Sequence, residues 1–477
     1  MIRSLKVQNF KAIGPAPCEI ELRPLTVLVG ENGAGKSSLL QALALLAQSA
    51  VEDTSRMDLV ISGSKVDLVL DTELQGTNDR DPLYYSGHDF QPLSVGIEIE
   101  DSDRIDWQFF GLPETPPDGW TVAREPWPPI RIGYSFARRR GHWLDWEHEV
   151  TFQRERVFRA WSKSQPDARR KREIERGVEL AGVSYPNWFV HPDGVLRPTL
   201  FSRERNGGAS TVSSEHLGIL DGVWQILLRA LDRVHYLTEV RGWPLMDTRV
   251  GPDVRFAGKH GEMTVRLLSN IAAKTKPGFS VFRRWAERFG FKDLECGWSG
   301  GNRLAVTFVD PLSLFRLDLG SAASGSSQAL ILATQLLLTE SDSTLLIEEP
   351  ENNLHPAFER LVAEMLVDSI RSRHQVVLAT HSEILVAALG NAVRHRLLSP
   401  EDLAIWHLTR NEKGIEAEQI HVSDRGYLER WVPSFAAVEE GIANEWYQKL
   451  PETGEENRGG HAHPRRAREG AKRRPRR

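Results

Sequence analysis

Cysteine is nearly absent from this 477-residue chain: only Cys18 and Cys296 occur, far apart. Two distant thiols make neither a disulfide framework nor a cysteine metal cluster. Long apolar runs are missing too, since no stretch approaches the ~18 to 20 consecutive apolar residues of a membrane helix. The amino terminus, Met1-Ile2-Arg3-Ser4-Leu5-Lys6, has no apolar block behind its basic residues, which argues against a secretory signal. These absences fit a protein of the reducing cytoplasm with no membrane segment. Charge of either sign is scarcely in excess: the formal net charge is −5, which excludes a wholesale nucleic-acid coat protein. Net charge hides local bias, however, because Arg465 to Arg477 carries eight Lys or Arg against the single Glu469.

What is present is ordinary in bulk, with 40% apolar and 26% charged residues. The length suggests roughly two to four domains. Alternation at Ile2, Leu5, Val7 and Phe10, and again from Cys18 to Leu22, predicts two antiparallel strands. Leu25 to Val29 is a continuous apolar run ending at Gly30, the pattern of a buried parallel strand. A Leu- and Ala-rich helix is expected from Ser37 to Ser49, and strands at Val66 to Leu70 and Val95 to Glu100. Pro113 to Pro129 is dense in proline. Eleven of the fourteen tryptophans fall between Trp107 and Trp298, so this region should hold a core of its own. The run Arg169 to Arg172 is read as part of a charged helical stretch. Further on, helices are expected at Ser327 to Leu338 and from Pro356 to about Arg371. Strands are expected at Thr344 to Ile347 and Gln375 to Ala379. Beyond about Pro451 the chain is Gly, Pro and charge, the composition of a disordered tail.

Four motifs carry chemistry. Gly30-Glu31-Asn32-Gly33-Ala34-Gly35-Lys36-Ser37, followed by Ser38, has the spacing of a phosphate loop. Its glycines let the backbone aim N–H groups at phosphate oxygens, Lys36 supplies a point charge, and the Ser37 hydroxyl can ligate Mg²⁺. Leu345 to Glu351 is an apolar strand ending in paired carboxylates. Glu348 is suited to hold Mg²⁺ and Glu349 to polarise an attacking water. His381 ends another apolar strand, about thirty residues on, where it could sense a γ phosphate. Ser324-Gly325-Ser326-Ser327-Gln328 precedes a helix, where free N–H groups suit an anion.

In this order the four motifs resemble the ABC-type ATPase heads of the SMC, RecF and OLD (overcoming lysogenization defect) proteins. Walker A corresponds to Gly30 to Ser37, the signature to Ser324 to Gln328, Walker B to Leu345 to Glu349, and the switch histidine to His381. Glu349-Pro350-Glu351-Asn352-Asn353-Leu354-His355-Pro356 is similar to the D-loop of OLD-like and prokaryotic defence ATPases. Softer similarities are Tyr236-Leu237 before Arg241-Gly242, and residues 401–432. The likeness covers about 1–75 and 230–435. The chain departs from the pattern at Glu348, where aspartate is usual, and at the signature, which lacks the second glycine. The coupling glutamine loop is expected near Asp67 to Leu70 rather than at Gln41 or Gln48. A Toprim nuclease domain is not expected after His381, where the remaining residues lack a strand-borne Asp-x-Asp pair.

The fold class implied is α/β: an ABC-type head of mixed antiparallel and parallel sheets with helices, interrupted by a large α+β insertion. The expected divisions are head residues 1–75, a Trp-rich insertion 76–300, head residues 301–450, and a basic tail 451–477. The resemblance implies ATP and Mg²⁺ as cofactors, with catalytic roles for Lys36, Glu349 and His381. It also implies a homodimer or higher oligomer in which Ser324 and Gly325 reach the nucleotide of a second copy, with Gln328 of the same loop also a nucleotide-binding residue. The leading functional expectation is an ATPase of anti-phage defence working with a separate protein effector, a nuclease or toxin. A RecF- or SMC-like repair ATPase and an ATP-bound scaffold with little turnover are the alternatives. DNA contact through Arg138-Arg139-Arg140 or Arg169 to Arg172 stays open, because charge runs commonly mark a solvated face.

Overall fold

The computed structural model describes residues 1–51, 92–99, 130–139, 142–152, 155–165, 173–185, 188–190, 200–202, 218, 230–242, 247–249, 254–273, 278–300 and 303–449. The expected strand at Val66 to Leu70, the coupling loop, Arg140, the run 169–172 and the tail lie outside them.

The chain opens with β1 (Ile2–Gln8), β2 (Cys18–Glu21), β3 (Leu25–Gly30) and α1 (Lys36–Val51). A long β stretch follows: β4 (Leu93–Ile99), β5 (Ile130–Arg139), β6 (His142–Phe152), β7 (Glu155–Gln165), β8 (Glu173–Leu180) and β9 (Val183–Tyr185). Next come β10 (Trp188–Val190), β11 (Leu200–Ser202), β12 (Val234–Leu237) and β13 (Asp247–Arg249). Two helices, α2 (Thr264–Ala273) and α3 (Gly278–Arg288), precede β14 (Lys292–Gly300), β15 (Arg303–Val309) and β16 (Arg316–Asp318). The last third contains α4 (Ser324–Leu338), β17 (Thr344–Glu348), α5 (Pro356–Arg371), β18 (Gln375–Thr380) and α6 (Glu383–Arg394). It closes with β19 (Leu403–Asn411), β20 (Gly414–Ile420) and α7 (Pro433–Lys449).

Residues 1–432 form one compact unit. Within it the central sheet runs β12-β17-β18-β3-β19-β20, parallel except for β20. Strands β3, β17 and β18 are buried along their whole length, as parallel strands covered on both faces must be. The second sheet is antiparallel, in the order β2-β1-β4-β5-β6-β7-β8-β9. Helix α1 packs against strands of both sheets. Its Leu39, Leu40, Leu43 and Leu46 join one apolar cluster with Ile2, Leu5, Leu28 and Leu346. Gln375 pins the sheets together: its side chain accepts from Ile2 N (3.1 Å) and donates to Ile2 O (2.7 Å). Mixed parallel and antiparallel sheets with covering helices are the fold class that the sequence implied. The unit 433–477 is described only by the helix α7. Among the described residues, no helix is long and apolar enough to cross a membrane.

Three local expectations need correction. The described strands β5 to β8 of the Trp-rich stretch do not hold a core apart from the first strands. Ile130, Ile132, Tyr134, Val150, Phe158, Val178 and Leu180 belong to the same cluster as the first strands, because β4 pairs with β1 and carries the first sheet onward. The Arg169 run is flanked by strands, not by helix. Its neighbours β7 and β8 pair from Phe158↔Leu180 to Gln165↔Glu173, and Gly177 leaves room for the Trp161 ring across the pair. Regular structure also fills part of the stretch before Ser327 for which the sequence suggested no element, in α2, α3, β14 and β15.

Candidate nucleotide site

Each of the five parallel strands delivers residues to one end of the central sheet, its carboxyl edge, where open α/β sheets bind ligands. Strand β3 ends in the glycine loop and β17 in Glu348. Beyond β18 stands His381, beyond β12 stand Glu239 and Arg241, and Arg410 lies near the end of β19. A cleft of about 560 Å³ opens there, lined by Asn32, Gly33, Gly35, Lys36, Ser37, Ser38, Glu349 and His381. Ala12, Glu239, Val240, Asn352, Ala379 and Arg410 complete its wall. The volume lies within the usual range for a small-molecule site, ~300 to 1,000 Å³.

The loop's backbone explains its glycines. Gly33 and Gly35 have φ of 78° and 94°, a region that disfavours any side chain. A Cβ on Gly35 would also fall 1.7 Å from Ile415 Cδ1 on β20. Lys36 is only 6% exposed. Its ammonium donates to Gly30 O (3.0 Å) and Glu31 O (2.9 Å). Burial holds its pKa down to about 8, against the opposing pull of Glu349, Glu351 and Glu348. Phosphate oxygens would supply the counter-charge that the loop carbonyls only approximate.

The acidic turn has equally specific supports. Glu348 is buried and hydrogen-bonds the hydroxyls of Tyr236 and Ser37. Burial raises its pKa, and Oε1 has no hydrogen-bond partner. A carboxylate oxygen without a partner next to a serine hydroxyl is a hard-oxygen pair of the kind Mg²⁺ prefers, so the donor set fits that ion. Glu349 sits at φ 41°, left-handed and uncommon for a residue with a side chain, and its N–H donates to Ala379 O (2.8 Å). The Glu349 Oε1 to His381 Nε2 distance is 3.7 Å. Burial, with Lys36 nearby, lowers the His381 pKa, so the ring is neutral near pH 7. Glu351 accepts from His381 N (2.7 Å), which fixes the end of β18 against the turn. His355 caps α5, with Pro356 in its first turn, so the Leu-His-Pro sequence is a helix start.

Of the other expected residues, Gly30 and Ala34 shape the loop from beneath, while Glu31 is exposed at its rim. Ser324, Gly325 and Gln328 do not line the cleft of their own chain. Ser324 is exposed at the start of α4. The Gln328 side chain is buried and donates to Arg241 O (3.1 Å) of its own chain. Sequence reasoning assigned no role to Tyr236, Glu239, Arg241, Lys11 or Arg410. The signal was the apolar run of β12 breaking into polar residues at Thr238-Glu239, the same strand-end pattern as at Glu348 and His381.

With this geometry in place, residues 25–387 match the family described as "AAA domain, putative AbiEii toxin, Type IV TA system". The chain belongs to this family. The AAA-domain match runs from β3 into α6 and so takes in the glycine loop, Arg241, the signature, the acidic turn and His381. No curated protein matches this AAA-domain chain. Solved structures similar to it include an SMC head bound to the C-terminal winged-helix domain of ScpA (14% identity, TM-score 0.42, 88% of this chain and 98% of that one). The SMC head domain from Thermotoga maritima gives 10%, 0.39, 88% and 99%. The Smc head with an extended coiled coil bound to the C-terminal domain of ScpA, derived from Pyrococcus furiosus, gives 11%, 0.40, 94% and 99%.

Proposed function

We propose that the chain binds ATP with Mg²⁺ in the cleft above β3 and hydrolyses it, as an ABC- or SMC-like ATPase. The observation that carries this reading is the convergence of Lys36, Ser37, Glu349 and His381, from three different strand ends, on one cleft. In this reading the loop from Gly30 to Ser38 wraps the phosphates and Lys36 exchanges its two carbonyl partners for phosphate oxygens. Ser37 and Glu348 hold Mg²⁺, which when bound would neutralise phosphate charge. Glu349 takes the proton of the attacking water, and neutral His381 donates a hydrogen bond toward the γ phosphate. Such a reaction needs positioning and charge stabilisation above all.

The exposed start of α4 leads to a second part of the proposal. Ser324 and Gly325 do not line their own cleft and would cap the nucleotide of a second copy, so that ATP closes a homodimer and hydrolysis releases it. The family description names a toxin of a type IV toxin–antitoxin system. We extend that to a role in cytoplasmic anti-phage defence, with a protein effector, nuclease or toxin, that responds to the dimer. The division into head (1–75 and 301–450), insertion (76–300) and tail (451–477) is kept with one amendment. By pairing, β12 belongs to the central sheet and β4 to β9 extend the sheet of β1.

Purified protein should turn over Mg·ATP, and Lys36→Ala should lose nucleotide binding. Retained affinity in that variant would sink the assignment of the phosphate loop. Turnover that rises only with DNA would favour a repair role over defence, and no turnover with tight ATP binding would favour a scaffold.

A further inference from the structure

One buried side chain stands between the signature helix and the acidic turn, and the ATPase reading gives it no task. Arg241 is 6% exposed. Its Nη2 donates to Glu348 O (3.2 Å) and to Glu349 O, while Nε and Nη1 have no partner. The carboxylates of Glu239, Glu348, Glu349 and Glu351 surround it and offset part of the cost of its burial. Yet the guanidinium bonds backbone carbonyls, not those carboxylates. On its other side, Arg241 O accepts from Gln328 Nε2 (3.1 Å), near the start of α4.

Two further contacts lie in the same place. Asn352 Nδ2 donates to Glu239 O (3.2 Å). A Cβ on Gly325 would come within 2.9 Å of Asn353 O, so the start of α4 abuts the loop that follows Glu349. Residues 239–242 therefore touch both the helix that begins with the signature and the turn that carries the base.

We propose that Arg241 is a positioning residue that relays the placement of the signature helix, through Gln328, to the catalytic turn of the same chain. The proposal rests on the ATPase reading. Gripping two successive carbonyls fixes the peptide planes of Glu348 and Glu349 and holds Glu349 in its left-handed conformation. Both carbonyls accept from the one Nη2, whose two N–H groups diverge at a fixed angle in the guanidinium plane, a geometry that a freely rotating ammonium does not hold. Movement of α4 when a second copy engages Ser324 would pull on the Arg241 backbone and reorient Glu349. Gln328 then acts inside its own chain, and nucleotide capping is left to Ser324 and Gly325.

The test measures steady-state turnover and the affinity for a fluorescent ATP analogue in Arg241→Ala, Arg241→Lys, Gln328→Ala and the Arg241→Ala/Gln328→Ala pair. A misplacement of about 1 Å at a reacting group can cost ~100-fold, so kcat of Arg241→Ala should fall on that order while the affinity stays within about threefold. Methylguanidine should restore part of kcat. The double variant should be no slower than Arg241→Ala alone, since both changes cut one relay. Arg241→Lys, which keeps the charge and a fold close to wild type, should be intermediate in kcat with affinity unchanged. Wild-type turnover in either Arg241 variant would overturn the relay, as would multiplicative losses in the double variant or a large loss of affinity in Gln328→Ala. A wild type without turnover would overturn the ATPase reading and the relay together. Active wild type with active Arg241 variants would overturn the relay alone.

Discussion

Lys36 makes a quantitative prediction about protons. In the unliganded protein its ammonium is buried against two carbonyls, and its pKa is lowered from 10.5 to about 8. Triphosphate oxygens would restore the ordinary preference for the charged form, so ATP binding should take up a proton wherever the unliganded lysine is neutral. With an unliganded pKa of about 8, uptake should be about a tenth of a proton at pH 7 and about three quarters at pH 8.5. Over pH 7 to 9 the affinity should then fall about tenfold, roughly 1.4 kcal/mol. For folding the sign is the opposite. The unfolded chain binds this proton more tightly than the unliganded fold, so Lys36 makes stability rise with pH between about 8 and 10.5. The assay is isothermal calorimetry at pH 8.5 in buffers of different ionisation heat. Lys11, its pKa lowered by burial to about 8 as well, is controlled by Lys11→Met, which should retain the uptake. Binding heats that do not depend on the buffer, or an affinity flat from pH 7 to 9, would refute the reasoning.

Other perturbations follow from single contacts. Gly35→Ala places a methyl 1.7 Å from Ile415 Cδ1 at φ 94° and should abolish nucleotide binding, lowering stability by about 1 to 3 kcal/mol in thermal melts. Tyr236→Phe removes the hydroxyl shared by Glu348 and Gln41. It should raise the Mg²⁺ concentration needed for half-maximal turnover several-fold and leave KM for ATP nearly unchanged. Gln375→Leu deletes the amide that joins Ile2 to β18 and leaves buried backbone groups unpaired, at about 1 to 3 kcal/mol each. Its denaturant midpoint should fall without a change in kcat per folded molecule.

The parts of the site that were legible in sequence are those whose chemistry is local. Strand β3, its glycine loop and α1 are contiguous, and Glu348-Glu349 and His381 each end a short apolar run. Periodicity placed them because a fully buried strand must be apolar throughout and must stop where the polar edge begins. Arg241 stood out only as a soft family similarity and its role was not legible, since nothing near it in sequence reports that its partners are the carbonyls of residues more than a hundred positions later. The inward contact of Gln328 was hidden for a related reason. A polar residue near the start of a helix looks available to a ligand, while α4 is buried from Ser327 to Leu338, and the Gln328 amide donates to Arg241 O. The insertion strands show alternation at Val95, Ile97, Ile99 and again at Phe158, Ala160. Alternation reveals a half-buried strand without saying which sheet it joins, and a separate core was inferred where β4 extends the first sheet.

The central claim is that ATP joins two copies of this chain through Lys36 of one and Ser324 of the other. Light scattering on Glu349→Gln with Mg·ATP tests it most directly, because the variant should bind nucleotide and not consume it. The expected result is a mass twice that of the 53.8 kDa chain with ATP, and the single-chain mass without it. A mass that does not change on saturation with ATP would contradict the account.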